Sequence, residues 1–99
     1  MTIGGHNAGV QEYEMAARWV QFGVFSPINR LHSSKSEFMG KEPWRYPMEI
    51  GAVMTDFLRL RHSLLPYLYT MNHRAYAENI PLILPMYYSY PQNREAYGV

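Results

Sequence analysis

Few side chains here have the type and spacing that chemistry requires, and the four histidines and a single aspartate hold most of the choices. His32 closes the stretch SPINRLH, residues 26–32, two positions after Arg30. That stretch suits a short strand, and in βα architectures the C-terminal ends of strands are where ligand-contacting residues sit. The alternative is an ordinary, satisfied structural histidine. Position alone leaves both open. Carboxylate chemistry has less to work with. Hydrolysis of a glycosidic bond usually needs two carboxylates roughly 5–10 Å apart across it. Asp56 lies inside a helical pattern among core positions and reads as a helix-surface charge. Glu12 and Glu14 are two apart on a helix, so they diverge, and they suit the positive end of the helix dipole. Glu37 and Glu42 fall in a loop with nothing to fix them. His62 and His73 are eleven apart, about three helical turns, too far to share one ion, and neither H-E-x-x-H nor H-x-H occurs. Ser33 and Ser63 each adjoin a histidine, but sequence neighbours diverge and give no triad. GGHNAG lacks the Gly-Lys-Ser/Thr and the preceding strand of a phosphate loop.

The elements that would hold these residues follow from periodicity. IGGHNAG, with three glycines and an asparagine, reads as a loop. Tyr13, Ala16, Ala17, Val20 and Val24 then form one apolar stripe at helical spacing, and Met15, Trp19 and Phe22 a second. A helix apolar on two sides expects neighbours on two sides. Gly23 and Pro27 supply the stop. After SPINRLH and the polar loop SSKSEFMGKEPWRYP, a helical pattern runs from Met48 to Ala77, with Ile50, Val53, Met54, Phe57, Leu60, Leu64 and Leu68 on its buried side. Pro66 lacks an N–H and should kink or divide it. Asn79 and Pro81 end it. PLILPMYYSY is a short apolar run suited to a strand, although Pro85 argues against a central one. Strands alternating with helices suggest a parallel sheet, yet two short strands cannot make one covered on both faces. The chain reads as part of a larger α/β protein.

Composition narrows the class. Ninety-nine residues, 47% hydrophobic and 15% aromatic, suit one small globular domain at most and are too apolar for intrinsic disorder. Nine basic and eight acidic side chains leave a formal charge of +1, and the scattered cations form no nucleic-acid stripe. No cysteine is present, which excludes disulfides and thiolate metal sites and says little about compartment. No apolar run approaches the roughly 18 residues that span a bilayer.

Four blocks, in order, resemble a known family: IGGHNAG (3–9), RWVQFGVFSPINRLHSS (18–34), EPWRY (42–46) and RHSLLPYLYTMNHRAYAENIPLILPM (61–86). Together they are similar to the C-terminal part of the catalytic barrel of glycoside hydrolase family 31, which contains α-glucosidases and α-xylosidases. The resemblance covers essentially the whole chain. It implies an α/β fold, a partial (β/α)8 (TIM) barrel segment, mainly helical with two short strands. Residues 1–99 would be one segment spanning about strands 6 to 8, and no complete domain. Residues 13–25 would be the sixth barrel helix, SPINRLH the seventh strand, 48–77 the helical region before the eighth, and PLILPM the eighth strand. The Met and aromatic stripes would be helix-to-barrel packing.

The resemblance also implies retaining α-glycosidase chemistry, with one aspartate as nucleophile, a second as general acid/base, and no metal or organic cofactor. Both aspartates belong to motifs that precede the resembled stretch. Neither motif occurs here and Asp56 matches neither, so no catalytic residue carries over. The family's D-[IV]-x-G-[FH] motif falls on Thr2, Ile3, Gly4, Gly5 and His6, and its sugar-lining aspartate is replaced by Thr2, which has no carboxylate. His6 stands where an aromatic ring often walls the sugar site. His32 matches the histidine that hydrogen-bonds the sugar, and Arg30 the arginine that supports it. The implied partner of the parent enzyme is an α-linked oligosaccharide or glycoside, with no nucleic acid and no membrane. Unpaired strand edges and exposed apolar sides imply self-association of the fragment. The alternative function is a non-catalytic sugar-binding or self-associating module.

Overall fold

In the first helix, small residues alternate with branched ones on one side, and that side determines what packs against it. A computed structural model describes residues 2–3, 12–31 and 40–98. Helix α1 spans Tyr13–Gly23 and buries Ala16, Ala17 and Val20, with Val24 just beyond its end. The two alanines let a second helix, α2 (Met48–Ser63), approach closely, and Met54 of α2 joins Ala16, Val20, Val24 and Tyr46 in the core. Leu31, Ile50, Phe57 and Leu58 pack around this cluster. Tyr13 meets the buried Tyr46 edge to face, with ring centroids 6.0 Å apart, a favoured aromatic geometry.

A single 3-10 turn, Pro43–Arg45, precedes α2 inside what the sequence presents as loop. It lies so close to α2 that a Cβ on Gly51 would stand 2.5 Å from the Pro43 carbonyl oxygen. Glycine at position 51 is thus a packing requirement.

The expected division of the long helical run is found. Helix α2 ends at Ser63 and helix α3 covers Leu65–Glu78, with Pro66 in the first turn of α3, where its missing N–H costs nothing. The left-handed Asn79 (φ 58°) stops α3, a conformation asparagine tolerates well. On the side expected to be buried, Met54 and Leu68 are buried, whereas Leu60 is exposed.

Among the described residues two short strands are present, and only one of them is an expected strand. Strand β1 is Thr2–Ile3, inside the segment read as loop, and β2 is Ile28–Asn29, the middle of SPINRLH. They pair in parallel, Thr2 with Ile28 and Ile3 with Asn29. PLILPM is not a strand. Residues 81–85 are irregular and a short helix, α4 (Met86–Ser89), follows, with a 3-10 turn at Arg94–Tyr97. The physical reason is that Pro81 and Pro85 cannot donate to a ladder, and among the described residues β1 and β2 pair only with each other.

The radius of gyration is 16.1 Å, against about 13 Å for a compact chain of 100 residues. The molecule is elongated, with principal extents of 47 × 29 × 26 Å.

Candidate functional site

The unit β1–α1–β2 brings two remote stretches of chain to one edge. A parallel pair needs a crossover, and α1 provides it. With Ile3 opposite Asn29, the chain leaves both strands at their C-terminal ends in the same direction. His6 is three residues beyond Ile3 in sequence and His32 three beyond Asn29. Both histidines lie outside the described residues. Arg30, the third expected site residue, is exposed directly after β2.

Strand β2 contributes only two ladder residues, so the turn before it must hold it. That turn, residues 24–27, has Val24 fully buried and Ser26 1% exposed, while Phe25 stays half exposed. It is tied back to α1 by Val24 N–H donating to Val20 O (3.0 Å) and Ser26 N–H to Gly23 O (3.0 Å). From the other side comes Arg61 of α2. Its Nη1 donates to the carbonyls of Val24 and Ser26, both at 2.8 Å, and its Nη2 to that of Pro27 at 3.2 Å. Two buried oxygens have no hydrogen-bond partner among the described residues, Ser26 Oγ two positions before β2 and Asn29 Oδ1 within it.

Sequence reasoning missed Arg61, which it counted only among the nine basic side chains. The signal was present: Arg61 follows Met54 by seven and Phe57 by four, so it falls on the buried stripe of α2. A cation on such a stripe needs acceptors, and carbonyls at a helix C-terminus are suitable ones. Arg59, on the opposite side, makes only an exposed pair with Asp56 at 3.1 Å.

The remaining titratable groups are spread out. Asp56 is on the surface of α2 in that exposed pair, as its sequence position suggests. Glu14 bonds Arg18 one turn on, at 2.7 Å and well exposed. His62 bonds the Leu58 carbonyl through Nδ1 at 2.9 Å, within its own helix, while His73 is exposed on α3. Lys41 is 8% exposed, and burial holds its ammonium below the usual lysine pKa. Among the described residues no group of three His, Asp or Glu side chains is placed to hold a metal ion.

A short parallel pair with its crossover helix, followed by helices that cover one side, is the local pattern of a βα barrel wall, and comparison with known proteins agrees with that class. The model of the glycosyl hydrolases family 31 TIM-barrel domain matches residues 1–71. The α-glucosidase of Hordeum vulgare is 36% identical over 97 residues, 98% of this chain and 11% of its own length. Human neutral α-glucosidase AB is 34% identical over 88 residues, 89% of this chain and 9% of its own. The α-xylosidase of Saccharolobus solfataricus is 33% identical over 84 residues, 85% of this chain and 11% of its own. The chain belongs to glycoside hydrolase family 31, and it spans about a tenth of the length of the curated relatives it matches.

Proposed function

We propose that this chain is the segment of a retaining α-glycosidase, of α-glucosidase type, that supplies one side of the sugar-binding subsite at the scissile bond. The nucleophile and acid/base aspartates belong to motifs outside it, and the substrate is an α-linked oligosaccharide or glycoside. In this reading residues 1–99 form about strands 6 to 8 of a (β/α)8 barrel, no complete domain. His32 hydrogen-bonds a sugar hydroxyl, His6 walls the site, and Arg30 supports His32. The segment uses no metal or cofactor and binds neither nucleic acid nor membrane. The observation that carries this reading is the parallel register of β1 and β2, whose last residues, Ile3 and Asn29, each precede a histidine by three positions in sequence. The C-terminal edge of such strands is where barrel enzymes place their ligand-contacting groups.

The test is a chimera in which this segment replaces the matching segment of the Hordeum vulgare α-glucosidase. The chimera hydrolyses 4-nitrophenyl α-glucoside, and His32→Ala lowers its kcat/KM by roughly 100-fold, about 3 kcal/mol of transition-state stabilisation. A folded chimera without activity, or one indifferent to His32→Ala, overturns the reading. The 99-residue chain alone is inactive, because double displacement needs two carboxylates and the lone aspartate is spent on a surface pair.

A second reading, a self-associating module, is favoured by one feature. Met15, Trp19 and Phe22 line one side of α1 and stay exposed, with Trp19 and Phe22 edge to face at 6.2 Å. Light scattering on the isolated chain then shows a dimer or higher oligomer that Trp19→Glu with Phe22→Glu disperses. A monodisperse wild-type monomer excludes it.

A further inference from the structure

We propose that Arg61 is a positioning residue for the sugar-binding edge, acting through the backbone of residues 24–27. This rests on the reading of that edge given above. One guanidinium here serves three carbonyls that lie 34 to 37 residues away in sequence. Among the described residues, no backbone N–H outside a helix or strand donates to them. They follow the end of α1, where the last carbonyls of a helix lose their intrahelical partners, and Pro27 brings no N–H to stitch the turn. The positive charge also meets the negative end of the α1 dipole, and among the described residues no carboxylate pairs with it.

The consequence is directional. Arg61 comes from α2, α2 is fixed to α1 through Met54, and the bonded carbonyls end at Pro27, one residue before β2. With only Ile28 and Asn29 in the ladder, β2 has little pairing of its own to resist a shift. The position of Arg30, three residues past Pro27, and of the chain leading to His32 is therefore set by α2. A planar fork with several fixed N–H directions suits this task, and a lysine ammonium on a flexible stem does not reproduce it.

The experiment is NMR on the 99-residue chain titrated with methyl α-glucoside, comparing wild type, Arg61→Ala, Arg61→Lys and the neighbouring control Arg59→Ala. Amide nitrogens of Phe25 and Ile28 report the state of the preceding carbonyls, those of Val24 and Pro27. In Arg61→Ala these two resonances move, the Met54 methyl signal stays in place, and sugar affinity read at the amides of Arg30 and His32 falls about tenfold or more, since a binding constellation tolerates misplacement of only about 0.5 Å. Arg61→Lys recovers part of the affinity, and Arg59→Ala leaves it unchanged. Unchanged affinity in an Arg61→Ala chain whose Phe25 and Ile28 signals have moved reduces Arg61 to an anchor and overturns the proposal. Equal loss in Arg59→Ala does the same. If Arg61→Ala does not fold, Arg61→Lys decides, and wild-type affinity in it counts against the proposal. Absence of any sugar response in the wild type refutes the sugar-edge reading itself and removes the positioning role with it.

Discussion

The two halves of this chain are similarly rich in apolar residues but use them differently. Between residues 13 and 63, α1 and α2 share a core in which Met54 is 1% exposed and Val24 fully buried. From residue 65 onward only Leu68 is buried, and Tyr69 and Tyr76 are left in solvent. The difference lies in the partner. Helix α1 carries small residues where α2 crosses it, and the loop between them delivers Tyr46 to fill the remaining gap. Helix α3 has no such neighbour among the described residues. Its Leu64, Tyr67 and Leu68 form, with Phe25 and Leu82–Leu84, an apolar groove of about 450 Å³ that stays open. Hydrophobic content alone thus does not locate a core. The first half holds the strands in place, and the second half adds little to that task.

The largest test of this contrast is a pair of truncations. Met54→Ala should cost about 2–5 kcal/mol in urea unfolding, because it empties a site enclosed by α1 and Tyr46. Tyr76→Ala removes a larger side chain, yet at 87% exposure it should change stability by no more than about 0.5 kcal/mol. Comparable losses in the two variants would mean that the exposed face of α3 is covered in solution, and the contrast would fail.

A smaller effect probes how tightly the first half is built. Gly51→Ala gains about 1 kcal/mol of helix propensity at an ordinary helical site. Here the added methyl would meet the Pro43 carbonyl, and backbone cannot swing aside as a side chain can. Net destabilisation of about 1–3 kcal/mol is expected, on the scale of overpacking a core. A stabilised Gly51→Ala variant would show that the 3-10 turn moves freely over α2.

How much of this was legible in the sequence depends on the range of the interaction. The extent of α1, the division near Pro66 and the stop at Asn79 were readable, because periodicity, a missing N–H and a left-handed cap act within a few residues. Strand β1 was not, since Thr2 and Ile3 become a strand only by pairing with Ile28 and Asn29, a partnership no local window contains. PLILPM failed for the converse reason, being apolar and short like a strand but with no partner strand and with prolines at both ends. Arg61 was missed because its acceptors are carbonyls, which every residue has and no motif marks. Arg30 and His32 are candidates through family resemblance alone, since position left the histidine undecided.

Asn79 sharpens the second half of the comparison at a lower energy. Its φ of 58° suits Asn or Gly, so Asn79→Ala should cost about 1 kcal/mol, while Asn79→Gly should be near neutral. If α3 is only loosely tied to the core, the loss will appear in hydrogen exchange as fraying of residues 74–78, with the global urea midpoint almost unmoved. A full shift of the midpoint would instead show that α3 unfolds together with α1 and α2.

The smallest effect belongs to Lys41, next to the 3-10 turn. Burial lowers its pKa in the folded chain from the ordinary 10.5, so the unfolded chain binds the proton more tightly. Between the lowered value and 10.5 the unfolded state therefore carries more protons, and stability rises with pH through that window. Below the window the cost of burying the ammonium is present in full, and above it the cost disappears. Subtracting the pH profile of Lys41→Met isolates the contribution of this ammonium, because that variant keeps the aliphatic bulk and lacks the titrating group. The difference should show the variant more stable at neutral pH and the gap closing as pH approaches 10.5. A gap that widens with pH would mean that the ammonium is stabilised in the fold, in contradiction to a desolvated lysine at the edge of the tightly packed half.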